Sequence, residues 1–131
     1  MRTDIRDRAD IARLVNLFYD KVKKDETIGF IFNDIARVDW DHHLPIMYDF
    51  WEGIIFQTGK YDGNPMQVHM SLNQKTPLLP AHFARWKKLF IETVNELFEG
   101  EKAELTRQRA VSIATMMEIK TAGMNDSNLK L

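Results

Sequence analysis

Two histidines, a tyrosine and a tryptophan stand on helical faces that are otherwise apolar, and these residue types could do chemistry there. His43 precedes Met47, Phe50 and Ile54 by four, seven and eleven positions, which places it on the buried stripe of a helix. Its neighbour His42 lies about 100° round the same helix and faces water. Tyr19 follows Ala12 and Val15 by seven and four, at the edge of another buried face. His69 comes three residues after Met66, and Trp86 sits centrally in a stripe that runs from Phe83 to Phe98. Imidazole is a metal ligand or proton carrier, whereas Tyr O–H and Trp N–H are donors that stay neutral at pH 7. One reading makes all four ordinary core residues with satisfied polar tips, in a chain with 8 Phe and 7 Met. The other brings them together among those Met and Phe side chains. That combination suits a bulky, flat, apolar cofactor with one metal-binding face and one wet face, as in a haem-type pocket. Spacing alone leaves both open.

Other chemistries have less support. With no cysteine, thiolate zinc sites, iron–sulfur clusters and cysteine nucleophiles are excluded. No His-x-x-His or His-x-x-x-His pair occurs, nor a Gly-rich phosphate loop, nor the Gly-x-Ser-x-Gly and His-Glu-x-x-His motifs of hydrolases.

The elements that must position the four residues read as helices. Ile11, Leu14, Val15, Phe18 and Val22 predict an amphipathic helix over about 9–24, capped by Asp7 or Asp10. The apolar segment that follows, through Phe30 and Phe32, predicts a buried 3₁₀ corner. A second helix is predicted from about Trp40 to Gln57 with Asp39 as N-cap, although Pro45 argues for a start nearer His43. Pro65 opens a short helix over Met66 to Leu72, and a loop runs from Asn73 to Pro80. The third long helix spans Pro80 to Phe98, stopped by Gly100. The fourth runs from about Lys102 to Ala122, stopped by Gly123, and 124–131 reads as a frayed polar tail. No strand pattern or repeat appears. The class is all-α, in a single domain over 1–131.

At 131 residues the chain suits one domain, and 18 Lys+Arg against 19 Asp+Glu gives no field that favours nucleic acid or an anionic membrane. No apolar run approaches the ~18 residues that span a bilayer, and the charged N-terminus lacks a signal-peptide stretch. A cytoplasmic protein is expected.

In order and spacing, the motifs resemble the truncated haemoglobins of the third, P-type group. They are Leu17-Phe18-Tyr19-Asp20-Lys21-Val22, Ile31-Phe32-Asn33, Trp40-Asp41-His42-His43-Leu44-Pro45 running into Tyr48-Asp49-Phe50-Trp51, Gly59-Lys60-Tyr61-Asp62-Gly63-Asn64-Pro65, Val68-His69-Met70-Ser71-Leu72, and His82-Phe83-Ala84-Arg85-Trp86-Lys87-Lys88-Leu89-Phe90. The resemblance covers roughly Leu14 to Met117. It implies a truncated globin, a two-over-two helical sandwich enclosing haem b. By position His69 resembles the proximal iron ligand, with its other ring nitrogen expected to donate to a backbone carbonyl. Tyr19, His43 and Trp86 resemble the distal residues, and Phe32, Met47, Phe50, Trp51, Met66, Phe83 and Met117 are expected to line the porphyrin. Ile46 departs from the pattern, because a basic residue that meets a haem propionate often stands there. His82, Arg85 or Lys75 would have to substitute.

The resemblance implies binding of O₂, NO or CO, with oxygen transport, NO dioxygenation and peroxidase-like protection among the roles, and a reductase to keep iron ferrous. A haem-based electron carrier, or a sensor acting through a partner, is the alternative. A cofactor-free helical interaction module is the third.

Overall fold

The computed structural model describes residues 2–61 and 63–129, with side chains as far as Asn125. The described residues form five α-helices: α1 (Arg8–Lys24), α2 (Trp40–Phe56), α3 (Pro65–Lys75), α4 (Pro80–Leu97) and α5 (Glu101–Leu129). α1 packs on α2 and α4 on α5, while α1 also meets α4 and α2 meets α5. Two helix pairs are thus laid one over the other, as expected. Among the described residues the β pairing is confined to an isolated bridge between Thr3 and Phe98.

α1 forms where its stripe predicts. Asp7 is the cap, its carboxylate accepting the Asp10 N–H at 3.0 Å. Asp10 reciprocates on the Arg6 N–H at 2.8 Å. Ile11, Leu14, Val15, Phe18 and Val22 are all buried, and burying each such side chain contributes roughly 1.5–3 kcal/mol. The corner after α1 is not 3₁₀: it turns through Thr27 into a π-helical turn, Ile31–Ile35, closed by Ala36 N–H on the Ile31 carbonyl at 2.8 Å. A π turn accommodates one residue more than an α turn, and Phe32 on it reaches Tyr19 and Trp40.

α2 starts at Trp40 and not at His43. The Asp39 carbonyl accepts the N–H groups of His42 (3.1 Å) and His43 (2.8 Å), while its side chain makes no capping bond. Pro45 therefore lies in the second turn. The bond it forfeits is to the Asp41 carbonyl, and both residues are exposed, so water can serve that carbonyl.

α3 opens on Pro65, with Asn64 accepting the Gln67 N–H at 3.1 Å. It ends three residues later than the pattern suggests, because Asn73 is buried as a clasp. Its amide donates to Asn125 at 3.0 Å and its carbonyl accepts the Leu78 N–H at 2.7 Å. The same clasp explains why α5 passes through Gly123, the expected stop. Asn125 beyond it is held by α3, so the helix has a tertiary reason to continue. Lys130 and Leu131, in the expected frayed tail, lie outside the described residues.

Candidate functional site

Tyr19, on the inner face of α1, is 7% exposed. Its ring meets Phe32 from the π turn (5.9 Å between centroids), Trp40 (5.2 Å) and His43 (5.4 Å, edge-on at 77°) from α2. Burial pushes its phenol pKa up, so the hydroxyl keeps its proton and remains a donor.

His43 is half-buried, and its Nε2 is the one buried side-chain polar atom without a hydrogen-bond partner among the described residues. Burial holds its pKa below the ordinary imidazole value, and the charges of His42 and His69 push in the same direction. The ring is therefore neutral at pH 7.

His69 stands mid-way along α3. Its Nδ1 is 2.7 Å from the Pro65 carbonyl oxygen. A carbonyl can only accept, so Nδ1 carries the proton and the Nε2 lone pair is left facing away. The expected backbone partner of this ring is thus present. Trp86 on α4 is half-buried, stacked on Phe90 (5.3 Å, 7°) and edge-on to Phe18 (5.6 Å, 84°).

The expected lining residues divide into two groups. Phe32, Met47, Phe50 and Met66 are half-buried at the margin of the core, whereas Trp51, Phe83 and Met117 are buried within it. Trp51 stacks on Phe90 at 4.7 Å, deep between α2 and α4. A cleft of about 440 Å³ opens between α2, α3 and α5, lined by Phe50 and Met117 together with Ile54, Pro65, Ile113 and Arg109. Ile54, Ile113 and Arg109 were not among the expected lining residues, because positions on α2 and α5 meet only in the fold. Trp40 was likewise missed as a site residue, although it lies three residues before His43 on the same face.

Two of the substitutes for a basic residue at Ile46 are otherwise engaged. Arg85 Nε donates to Asp25 at 2.7 Å, and the Asp25 side chain is 4% exposed. His82 Nδ1 accepts the Leu79 N–H at 3.0 Å, and burial lowers its pKa, so it is neutral. Lys75 has no carboxylate partner among the described residues and borders a second cleft, with Ser71 and Leu72 of α3 and Ala36 at the end of the π turn.

No protein-family model matches the chain. It is 33% identical over 118 residues to the group 3 truncated hemoglobin ctb of Campylobacter jejuni, covering 88% of this chain and 91% of that protein. The crystal structure of a group III truncated hemoglobin from Campylobacter jejuni superposes with a TM-score of 0.80 at 32% identity, over 92% of this chain and 95% of that one. The chain belongs to the group III truncated haemoglobins.

Its residues fit the haem that a truncated haemoglobin implies. Haem needs one imidazole with a free lone pair and a fixed ring, and His69 offers both through its bond to Pro65. The opposite face needs polar atoms that the protein itself leaves unpaired, and His43 Nε2 is such an atom. Unlike a zinc site, this arrangement asks for no cluster of donors, and no group of three or more His, Cys, Asp or Glu stands together among the described residues. No helix is long and apolar enough to cross a membrane among the described residues.

Proposed function

We propose that this truncated haemoglobin binds haem b with His69 Nε2 as the axial ligand, and takes up O₂, NO or CO on the face of Tyr19, His43 and Trp86. The observation that carries the proposal is the His69 Nδ1–H···O=C Pro65 hydrogen bond of 2.7 Å. It fixes the tautomer, orients the ring and leaves a lone pair that no protein group uses. Haem, when bound, supplies a ferrous iron that reversibly takes a diatomic molecule. The chain's own residues then do three things. Phe32, Met47, Phe50, Met66 and the core side chains Trp51, Phe83 and Met117 give the ring an apolar bed that excludes water. Tyr19 and Trp86 donate hydrogen bonds to a guest that carries partial negative charge. His43, neutral and with Nε2 unpaired, either donates as well or swings aside.

Several donors slow the release of a polar diatomic guest, which suits O₂ and NO chemistry or protection from reactive nitrogen and oxygen species better than bulk O₂ storage. Such chemistry consumes electrons, so a reductase is required as a partner. A second reading makes the protein an electron carrier with both axial positions filled by His69 and His43, and the unpaired Nε2 of His43 speaks for it.

Absorption spectra of the purified protein, as isolated, after dithionite and after CO, test both. A Soret band that shifts on CO is expected. A six-coordinate ferrous spectrum that CO does not alter would favour the carrier, and no Soret band after haemin titration would overturn haem binding altogether. His69→Ala is expected to lose tight haem binding, whereas His43→Ala keeps it with altered ligand kinetics. Equal haem retention by the two variants would overturn the axial assignment.

A further inference from the structure

Trp40 is the first residue of α2 and lies one turn before His43. Helical side chains lean toward the helix N-terminus, so the His43 imidazole reaches back onto the indole, edge-on at 80° with centroids 5.8 Å apart. On its other sides the indole meets Tyr19 at 5.2 Å and lies nearly parallel to Phe32, 22° apart at 6.2 Å. From α1, Lys23 places its ammonium 4.6 Å from the indole centroid, within cation–π range. Four rings, that of His43 among them, and one cation thus form a single cluster, in which the Nε2 of His43 is buried and unpartnered.

An unpaired buried ring nitrogen favours rotation of its ring toward water, so packing has to hold the imidazole in. Two rings touch it. Tyr19 is fixed in the core, whereas Trp40 is half-buried, begins its helix and is flanked by exposed Asp39 and Asp41. Trp40 is therefore the neighbour that can yield. We propose that Trp40, pinned by Lys23, is the positioning residue that keeps His43 turned inward over the ligand space, so that a ligand is admitted only when the two rings move together. The proposal rests on the haem reading above for its effect on ligand binding, and on the ring cluster alone for its effect on His43.

Both effects are measurable. CO recombination after flash photolysis of the ferrous protein reads ligand admission. Carbethoxylation of His43 in the cofactor-free chain, followed by peptide mass spectrometry, reads the exposure of its ring. Trp40→Ala is expected to raise the CO association rate about fivefold and to speed His43 modification by a similar factor, roughly what loss of the cation–π and ring contacts allows. Trp40→Phe, which keeps a ring in the stack, is expected to stay within about twofold of wild type, with Lys23→Gln between the two. In a His43→Ala background, Trp40→Ala is expected to add nothing, since it acts through that ring. An unchanged CO association rate in Trp40→Ala would overturn the proposal, as would the same acceleration in the His43→Ala background, which would make Trp40 a plug in its own right. Lys23→Gln alters a partly exposed side chain and spares the core. If Trp40→Ala does not fold, a wild-type rate in Lys23→Gln overturns the pinning. If haemin titration gives no Soret band, the haem reading fails, and the rate of His43 modification still decides whether Trp40 controls that ring.

Discussion

Tyr19 presents a phenol whose ring is held against Phe18, Phe32, Trp40 and His43. Burial of the residue raises its pKa, so the hydroxyl keeps its proton at neutral pH and can donate to a polar diatomic guest. Tyr19→Phe is therefore expected to speed O₂ dissociation about tenfold, the equivalent of one hydrogen bond of ~1.4 kcal/mol, in stopped-flow displacement by CO. An unchanged rate removes Tyr19 from the ligand's surroundings. Trp86 offers a second donor from α4. If both act on one guest, Tyr19→Phe and Trp86→Phe should couple by about 0.5 kcal/mol or more in a double-mutant cycle, and strict additivity would mean that they serve different positions.

At the scale of elements, the corner between α1 and the π turn depends on Asp25. Its carboxylate accepts the N–H groups of Thr27 (3.0 Å) and Ile28 (3.1 Å) and the Arg85 Nε at 2.7 Å, tying α4 to the end of α1. Burial alone would raise its pKa, but the Arg85 hydrogen bond and the two backbone donors outweigh it and hold the value below the ordinary one. A carboxylate depressed in the folded state stabilises the fold above its unfolded pKa, ~3.9, and that stabilisation is lost as pH falls through the folded value. Asp25→Asn is thus expected to be less stable than wild type by about 2 kcal/mol at pH 7, with the gap closing below roughly pH 4. Urea midpoints at a series of pH values check this, and a gap that does not change with pH would show that the charge contributes nothing. None of this was legible in the sequence. The stripes of α1 and α4 were, because a buried face leaves its 3.6-residue period in the residues themselves. The π turn has no such signature, and the distant partners of Asp25 and Asn73, Arg85 and Asn125, lie 60 and 52 residues away. The site divides in the same way. Tyr19, His43, His69 and Trp86 stood out as polar groups on apolar faces, whereas Trp40 and Arg109 looked like ordinary helix residues until the fold gave them neighbours.

For the molecule as a whole, the N-terminal arm completes the sandwich by closing on the α4–α5 corner. Glu99 N–H donates to the Thr3 carbonyl at 3.0 Å, and Arg2 pairs with Glu99 and donates to the Asn95 carbonyl. Asp4 then caps α5 from outside it, accepting the N–H groups of Lys102 (2.9 Å) and Ala103 (2.8 Å). A carboxylate on two free N–H groups at a helix start is favoured by both hydrogen bonding and the helix dipole. Gly100 makes the approach feasible. At φ 135° it adopts a backbone that side chains rarely take, and a Cβ there would lie 2.6 Å from the Asp4 carboxyl carbon. The two residues therefore form one device. Asp4→Ala is expected to cost about 1 kcal/mol as a lost cap, and Gly100→Ala at least as much, through strain and displacement of Asp4. Each should lower Tm by about 4 °C or more. Because Gly100→Ala already expels Asp4, the double variant should fall little further than Gly100→Ala alone. This corner joins the α4–α5 pair and lies apart from the rings around His43, so haem spectra and CO kinetics should stay at wild-type values while the melting temperature falls. Thermal unfolding of the three variants decides the matter. Full additivity would mean that the glycine and the carboxylate act separately, and an unshifted Tm would mean that the arm contributes nothing to holding the two helix layers together.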